Sequence, residues 1–255
     1  MAFCIICESN IPAWLPDPAA GILGPFLKAL EAVGATSTVQ LCPACGCTQR
    51  ERHLWLYLSM SGLLEEARTR PILHMGAQPR FAKRMRALAP VRYVALDTGG
   101  VPIAEEAGAE SQVQPKRESL KFDALPYGDE EFHLVICEHV LESVSDLARA
   151  IAEISRCVAA NGWIVVQSVL APRMRHTFEF TETPSDDAAR LFFGGKSRRR
   201  LFGADMAQSF ERAGLKGRHY SHAELLPETD PAIWGCESDE PIGFFSRTRW
   251  LESQS

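Results

Sequence analysis

The 255-residue chain holds 46% hydrophobic and 23% charged residues and carries a formal net charge of -5. This balance leaves room for one large α/β domain with a small appendage and excludes a mostly disordered chain or a general nucleic-acid binder. No apolar run nears the roughly 18 to 20 residues of a membrane span, and no cationic stretch leads an apolar one at the N-terminus, which points to a cytoplasmic protein without a membrane partner.

In chain order, the first signal is two cysteine pairs, Cys4-x-x-Cys7 and Cys42-x-x-Cys45. Each pair presents two thiolates from one tight turn, and zinc takes four such ligands in a tetrahedron; Gly46 lets the second turn curl. The spacing predicts a structural Zn2+ held by Cys4, Cys7, Cys42 and Cys45, with Cys47 as a substitute ligand. Buried reduced thiols or a disulfide pair are the alternatives, the disulfide the weaker because nothing else in the sequence suggests secretion. Cys137, Cys157 and Cys236 read as core thiols.

Pro12, Pro16, Pro18 and Pro25 punctuate the stretch between the pairs, and Pro25 to Val33 has apolar residues at helical spacing. A metal joining the pairs would tie the ends of this insertion together. Arg52 to Leu58 starts an apolar helix that ends near Gly62. Residues 1–62 are therefore expected to form a zinc-binding knuckle with N-terminal helices, and 63–255 a larger domain.

Pro71 to Gly76 reads as a short buried strand, Pro79 to Leu88 as a helix and Val91 to Asp97 as a second strand, a βαβ unit. Gly99 to Arg117 is polar without periodicity. Phe132 to Cys137 is a buried strand, Asp146 to Val158 an amphipathic helix and Gly162 to Val169 another strand. The alternation predicts an α/β fold with a doubly wound, mostly parallel, Rossmann-like sheet, its strands' carboxyl ends on one ligand-binding edge. On that edge Gly76 permits close backbone approach, and Asp97, 21 positions on, can accept ribose hydroxyls. The loop His74-Met75-Gly76-Ala77-Gln78-Pro79 has no GxGxxG fingerprint, which disfavours a dinucleotide and leaves room for a ligand without phosphate.

The block from Asp123-Ala124-Leu125-Pro126-Tyr127 to Glu138-His139-Val140-Leu141-Glu142 resembles the D-x-LPF-x-D-x-x-FD-x-I-x-x-x-HVLEH stretch of class I S-adenosylmethionine-dependent methyltransferases, type 11-like. Ala150 to Trp163 is similar to their A-x-x-E-x-x-R-V-L-K-P-G-G helix and turn. Cys42-Pro43-Ala44-Cys45-Gly46 through Arg52, followed by Leu73-His74, resembles a zinc-bearing branch of that family. The resemblance implies S-adenosylmethionine as cofactor, with His74, Gly76, Ala77 and Gln78 at its methionine part. It implies Asp97 on the ribose diol, Asp123 and Ala124 on adenine, and Leu125 in the apolar adenine wall. Glu138 and His139 would face the sulfonium and the acceptor as catalytic residues, with His139 the natural base near neutral pH. Gln78 stands where the family has glutamate, Ser143 where it has a second histidine, His133 where it has aspartate and Asn161 where it has glycine. His133 and His74 also read as plain strand residues.

Lys196-Ser197-Arg198-Arg199-Arg200 is a local basic cluster, usually a solvated helix face and otherwise an anion site. Phe192 to Met206 resembles the family's loop before a helix, and with Arg173 to Thr183 it would lid the acceptor pocket. Tyr220 to Trp250 could line a planar substrate or form a C-terminal strand pair. Together these features predict methyl transfer to an N or O nucleophile of a small-molecule acceptor, aromatic or heterocyclic, rather than to nucleic acid. The runner-up is a binding scaffold whose eroded first loop no longer takes cofactor.

Overall fold

Residues 1–16, 24–35, 40–89, 92–103 and 120–250 are described in this computed structural model; Pro18 and most of the aperiodic stretch from Gly99 to Arg117 lie outside them. The strands β1 (Ala2–Cys4) and β2 (Ser9–Ile11) form a hairpin. β3 (Leu15–Pro16) is followed by α1 (Pro25–Ala29) and by β4 (Gln40–Leu41), which pairs back on β3. α1 is shorter than its apolar periodicity predicts. Glu31 (φ +49) turns the chain out of the helix, and Val33 then bridges Leu170 through two backbone hydrogen bonds.

α2 (Gln49–Met60) starts at a capping box, in which Thr48 Oγ1 accepts from Glu51 N and the Glu51 carboxylate accepts from Thr48 N, and α3 (Leu63–Ala67) follows. Then come β5 (Ile72–Met75), α4 (Pro79–Leu88), β6 (Tyr93–Leu96), β7 (Phe132–Glu138), α5 (Leu147–Cys157) and β8 (Val158–Gln167). α4 has the predicted bounds, with proline in its first turn. α5 is capped by Asp146, whose side chain accepts from Arg149 N, and it buries Ala150, Ile151, Ile154 and Cys157. The chain ends with β9 (Phe178–Glu179), α6 (Asp186–Phe193), β10 (Arg200–Leu201), α7 (Met206–Glu211), β11 (Lys216–Tyr220), α8 (His222–Leu225) and β12 (Ile242–Ser246).

Six strands make one sheet in the order β6, β5, β7, β8, β12, β11; the first four are parallel and β12 runs antiparallel to both neighbours. This is the doubly wound, mostly parallel arrangement the sequence predicts; of the stretch Tyr220 to Trp250, β12 is a strand, and its partner β11 ends at Tyr220, ahead of the expected pair. Because side chains alternate across a strand, the sheet feeds two cores. Ile72, Leu134, Ile136, Trp163 and Val165 pack with the knuckle and α2, while Leu73, Val135, Cys137, Ile164 and Val166 pack with α5 and α7. A third apolar cluster joins Leu27 of α1 to Phe193 of α6 and Leu201 of β10, rimmed by Phe26, Phe178, Phe180 and Phe192.

The basic run is not a solvated helix face. Arg200 lies in β10, 1% exposed, where it pairs with Glu179 at 2.6 Å and donates to the Leu141 carbonyl. Arg199 is 3.3 Å from the same Glu179 carboxylate, and Lys196 lies 3.5 Å from Asp186. Arg199 and Arg200 are thus paired within the chain, which a linear reading of charge cannot show, while Lys196 stays exposed. Among the described residues no helix is long and apolar enough to cross a membrane.

Candidate active site and cysteine centre

Cys4, Cys42, Cys45 and Cys47 place their sulfurs within 4.8 Å of one another. Cys4 Sγ is 3.5 Å from Cys47 Sγ and 3.9 Å from Cys45 Sγ, and Cys7 Sγ is 3.9 Å from Cys42 Sγ. Four thiolates at about 2.3 Å from a zinc ion would be separated by roughly 3.8 Å, so this spacing fits a tetrahedral site. The most compact foursome takes Cys47 where the sequence placed Cys7. The cause is the second turn: Cys42 N donates to Cys47 O (3.0 Å) and Gly46 N to Cys42 O (2.7 Å), which folds Cys47 back over the pair. Without a cation the thiols oppose each other. Burial pushes Cys45 up to about 12, contact with Cys4 raises Cys47, and the hydrogen bond from Cys47 holds Cys4 down to about 4. A divalent ion would favour the thiolate at each position.

Arg52 anchors this centre. Its guanidinium donates to the carbonyls of Cys47, Gln40, Trp234 and Gly235 at 2.7 to 3.0 Å, lies 3.6 Å from Cys47 Sγ and stacks over the Trp14 ring at 3.9 Å. The knuckle is thereby tied to both the start of α2 and the approach to β12.

At the sheet's carboxyl edge, a cleft of about 310 Å³ is lined by Thr98 and Gly99 after β6, by Leu120 to Asp123, and by Val140 and Ser143 to Ser145 after β7. Asp123 Oδ2 accepts from Ser145 Oγ (3.1 Å). Asp97 adjoins the cleft beside Thr98, and its Oδ1 accepts from Gly99 N (2.8 Å) and Val101 N (2.9 Å). An apolar floor with the Asp123 carboxylate at its rim fits a nucleoside. Asp97 and the other residues assigned to cofactor do not line this cleft. Ala77 is buried, Gln78 is exposed at the start of α4 and Ala124 is exposed. Leu125 turns into the core, its N–H donating to Glu153 (3.0 Å) and its carbonyl accepting from Arg156 (3.1 Å). Gly76 has φ +85, and a Cβ there would lie 1.9 Å from the Glu138 carbonyl oxygen, so only glycine lets the loop after β5 pass the end of β7.

Beyond β7 the chain turns at His139, a non-glycine residue at φ +52. His139 Nδ1 lies 3.0 Å from Glu142 Oε1, which also accepts from Val169 N (3.0 Å). Burial works to raise the Glu142 carboxyl, but the His139 hydrogen bond and charge, the Arg198 charge and the Val169 N–H hold it down to about 2. A permanent carboxylate on Nδ1 keeps the N–H there and leaves Nε2, buried and without a hydrogen-bond partner, as the proton acceptor. On the sheet's knuckle side, His74 Nδ1 is 2.8 Å from the Tyr93 hydroxyl and its Nε2 is 3.3 Å from Glu138 Oε2. His133 is structural: its Nε2 is 2.5 Å from Glu66, which Arg249 grips with two bonds of 2.8 Å.

Sequence reasoning missed the buried polar groups Glu51, Glu142, Gln167 and Glu240. Glu142 was visible inside the HVLE block, and Gln167 as the polar end of the apolar run Ile164 to Val166. Glu51 carried only its capping-box signal, and Glu240 none.

Residues 74–166 match the family model of the methyltransferase domain. The match spans β5 to β8, so this stretch of the chain carries a methyltransferase domain. Among solved structures, the chain is similar to an S-adenosylmethionine-dependent methyltransferase from Mesorhizobium loti, at 14% identity over 73% of this chain and 95% of that one, with a TM-score of 0.45. It is similar also to the YcgJ protein from Bacillus subtilis, at 14% identity over 75% of this chain and 99% of that one, with a TM-score of 0.40. Comparison with curated proteins finds no match.

Proposed function

We propose that the protein transfers a methyl group from S-adenosylmethionine to a nitrogen or oxygen nucleophile of a small-molecule acceptor, with His139 as general base and the cysteine centre as a structural zinc site. The observation that carries this reading is the His139 imidazole after β7, fixed at Nδ1 by Glu142 and without a hydrogen-bond partner at its buried Nε2. The bound cofactor would supply an electrophilic sulfonium methyl for in-line displacement. Asp97 and Asp123 would hold the ribose and adenine at the cleft, and the backbone from Gly76 to Gln78 would pass the methionine end. Glu138, one residue before His139, would face the acceptor. His139 Nε2 then removes the acceptor's proton, a contribution of roughly 10²- to 10⁴-fold, while positioning supplies much of the rest. The internal pairing of Arg199 and Arg200 with Glu179 supports a compact acceptor over a polyanion.

One observation favours the rival reading, a scaffold without cofactor: Asp97 Oδ1 already accepts two N–H groups of its own loop. Equilibrium binding of S-adenosylhomocysteine separates the two. Binding that Asp97→Ala weakens, with His139→Ala lowering methylation rate but not that affinity, is the expected result. No binding at millimolar ligand would leave the scaffold.

A further inference from the structure

A tetrahedral zinc ion takes four thiolates, and the knuckle brings five cysteine sulfurs together. Cys4, Cys42, Cys45 and Cys47 are mutually within 4.8 Å, and Cys7 Sγ stands outside that set, 3.9 Å from Cys42 Sγ. One thiol is therefore left over beside the metal position. The surroundings of each sulfur show which.

Cys47 is held from two directions. It is 0% exposed, its carbonyl accepts from Cys42 N (3.0 Å) and Arg52 Nη1 (2.9 Å), and the same guanidinium nitrogen lies 3.6 Å from its sulfur. A buried guanidinium at that distance favours the thiolate that a metal needs. Cys4 and Cys42 are buried too, and Cys4 Sγ closes the set at 3.5 Å from Cys47 and 3.9 Å from Cys45. Cys7 is partly exposed, in the four-residue turn Ile5 to Glu8 between β1 and β2, where its carbonyl accepts from the nearby Ser9 Oγ (3.2 Å). It touches the ligand set through Cys42 and is reached from solvent.

We infer that Cys7 is a resident fifth thiol that makes the zinc centre oxidation-sensitive: a peroxide links Cys7 to Cys42 as a disulfide, and the metal is released. This rests on the zinc reading above. Coordination shields the four ligands, whereas Cys7 has neither a metal bond nor full burial. Cys7 Sγ attacks hydrogen peroxide and the O–O bond breaks; one oxygen stays on sulfur as a sulfenic acid and the other leaves as water. Cys42 Sγ then forms the S–S bond as the S–O bond breaks, and that oxygen leaves as a second water, with a proton from solvent. Two cysteines are oxidised and one peroxide is reduced. The sulfurs need an approach of roughly 2 Å to reach bonding distance, a movement within reach of a short surface turn. Three thiolates remain, and since metal binding at such sites is coupled to folding, the hairpin loosens from the start of α2.

The test uses the zinc-loaded full chain, hydrogen peroxide and a chromophoric zinc chelator. The wild type should release zinc as peroxide is added and show a Cys7–Cys42 disulfide by peptide mass mapping, and dithiothreitol with Zn2+ should reverse both. Cys7→Ser should keep about one zinc per chain, and its cobalt form the charge-transfer absorption of four thiolates. Its zinc release by peroxide should be at least about tenfold slower than that of the wild type. Loss of metal, or of one thiolate's share of that absorption, in Cys7→Ser would make Cys7 a ligand and overturn the inference. Release at the wild-type rate, or a wild-type disulfide that leaves Cys7 out, would overturn it while the zinc reading stands. Wild-type protein that carries no zinc would remove the zinc reading, and the inference with it.

Discussion

α2 carries two buried charges one position apart, and their surroundings are opposite. Arg52 has four carbonyl acceptors, a sulfur neighbour and an aromatic face. Glu51 has one capping bond, one oxygen without a hydrogen bond, and the opposed charges of Glu138 and Arg80 acting on it. The helix therefore faces a finished polar network on the cysteine side and an unfinished one over the sheet edge. A fully partnered buried charge fixes structure, whereas a buried polar group without a hydrogen bond destabilises the fold.

The largest expected effect attacks the finished side. Arg52→Leu strands four carbonyl oxygens, and at about 1–3 kcal/mol per buried unpaired acceptor the fold should lose at least roughly 3 kcal/mol. For a chain of this size that is a fall in Tm of roughly 10 °C. Wild-type protein prepared without chelator should carry about one zinc per chain by elemental analysis, and the variant less. An unshifted melt with full metal would show that the knuckle holds itself and that Arg52 is a bystander.

A smaller effect sharpens the comparison at Glu142, a buried carboxylate held through Oε1 by His139 and the Val169 N–H. A carboxyl held at about 2 when folded, below its ordinary range, stabilises the protein above that range and loses the contribution as pH falls from roughly 5 toward 2. Glu142→Gln should cost roughly 2 kcal/mol at neutral pH and flatten the pH dependence of Tm in that window. Equal slopes for the two proteins would mean that His139 does not depend on Glu142 for its orientation.

The parts legible in sequence are those set by local pattern. The apolar runs marked β5, β7 and most of β8, Pro79 fixed the start of α4, and Asp146 the start of α5. Cys4, Cys42 and Cys45 were visible from spacing, but the choice between Cys7 and Cys47 depends on how one turn folds back. Helix α1 was overread because the Val33 bridge to Leu170 joins residues far apart in sequence. Glu240 was hidden for the same reason, since its neighbours Arg50 and His53 come from a distant segment of the chain. Arg200 shows the converse, a charge that looked solvated and is buried against Glu179.

The smallest effect is the most discriminating, because its sign differs between the two sides of α2. On the finished side every polar-to-apolar change removes partners and should destabilise. Gln167 has none to lose: it is 1% exposed, sits opposite Glu138, and leaves both amide atoms unbonded. Replacing a buried, unpaired polar group by an apolar one of similar size is neutral or stabilising. Gln167→Leu should therefore raise stability by about 1 kcal/mol, or Tm by roughly 2–4 °C. Chemical denaturation should show the same gain with an unchanged slope, since the surface exposed on unfolding hardly alters. A variant that melts lower than the wild type would mean that the Gln167 amide is satisfied in the folded protein, and the contrast between the two sides of α2 would lose its clearest witness.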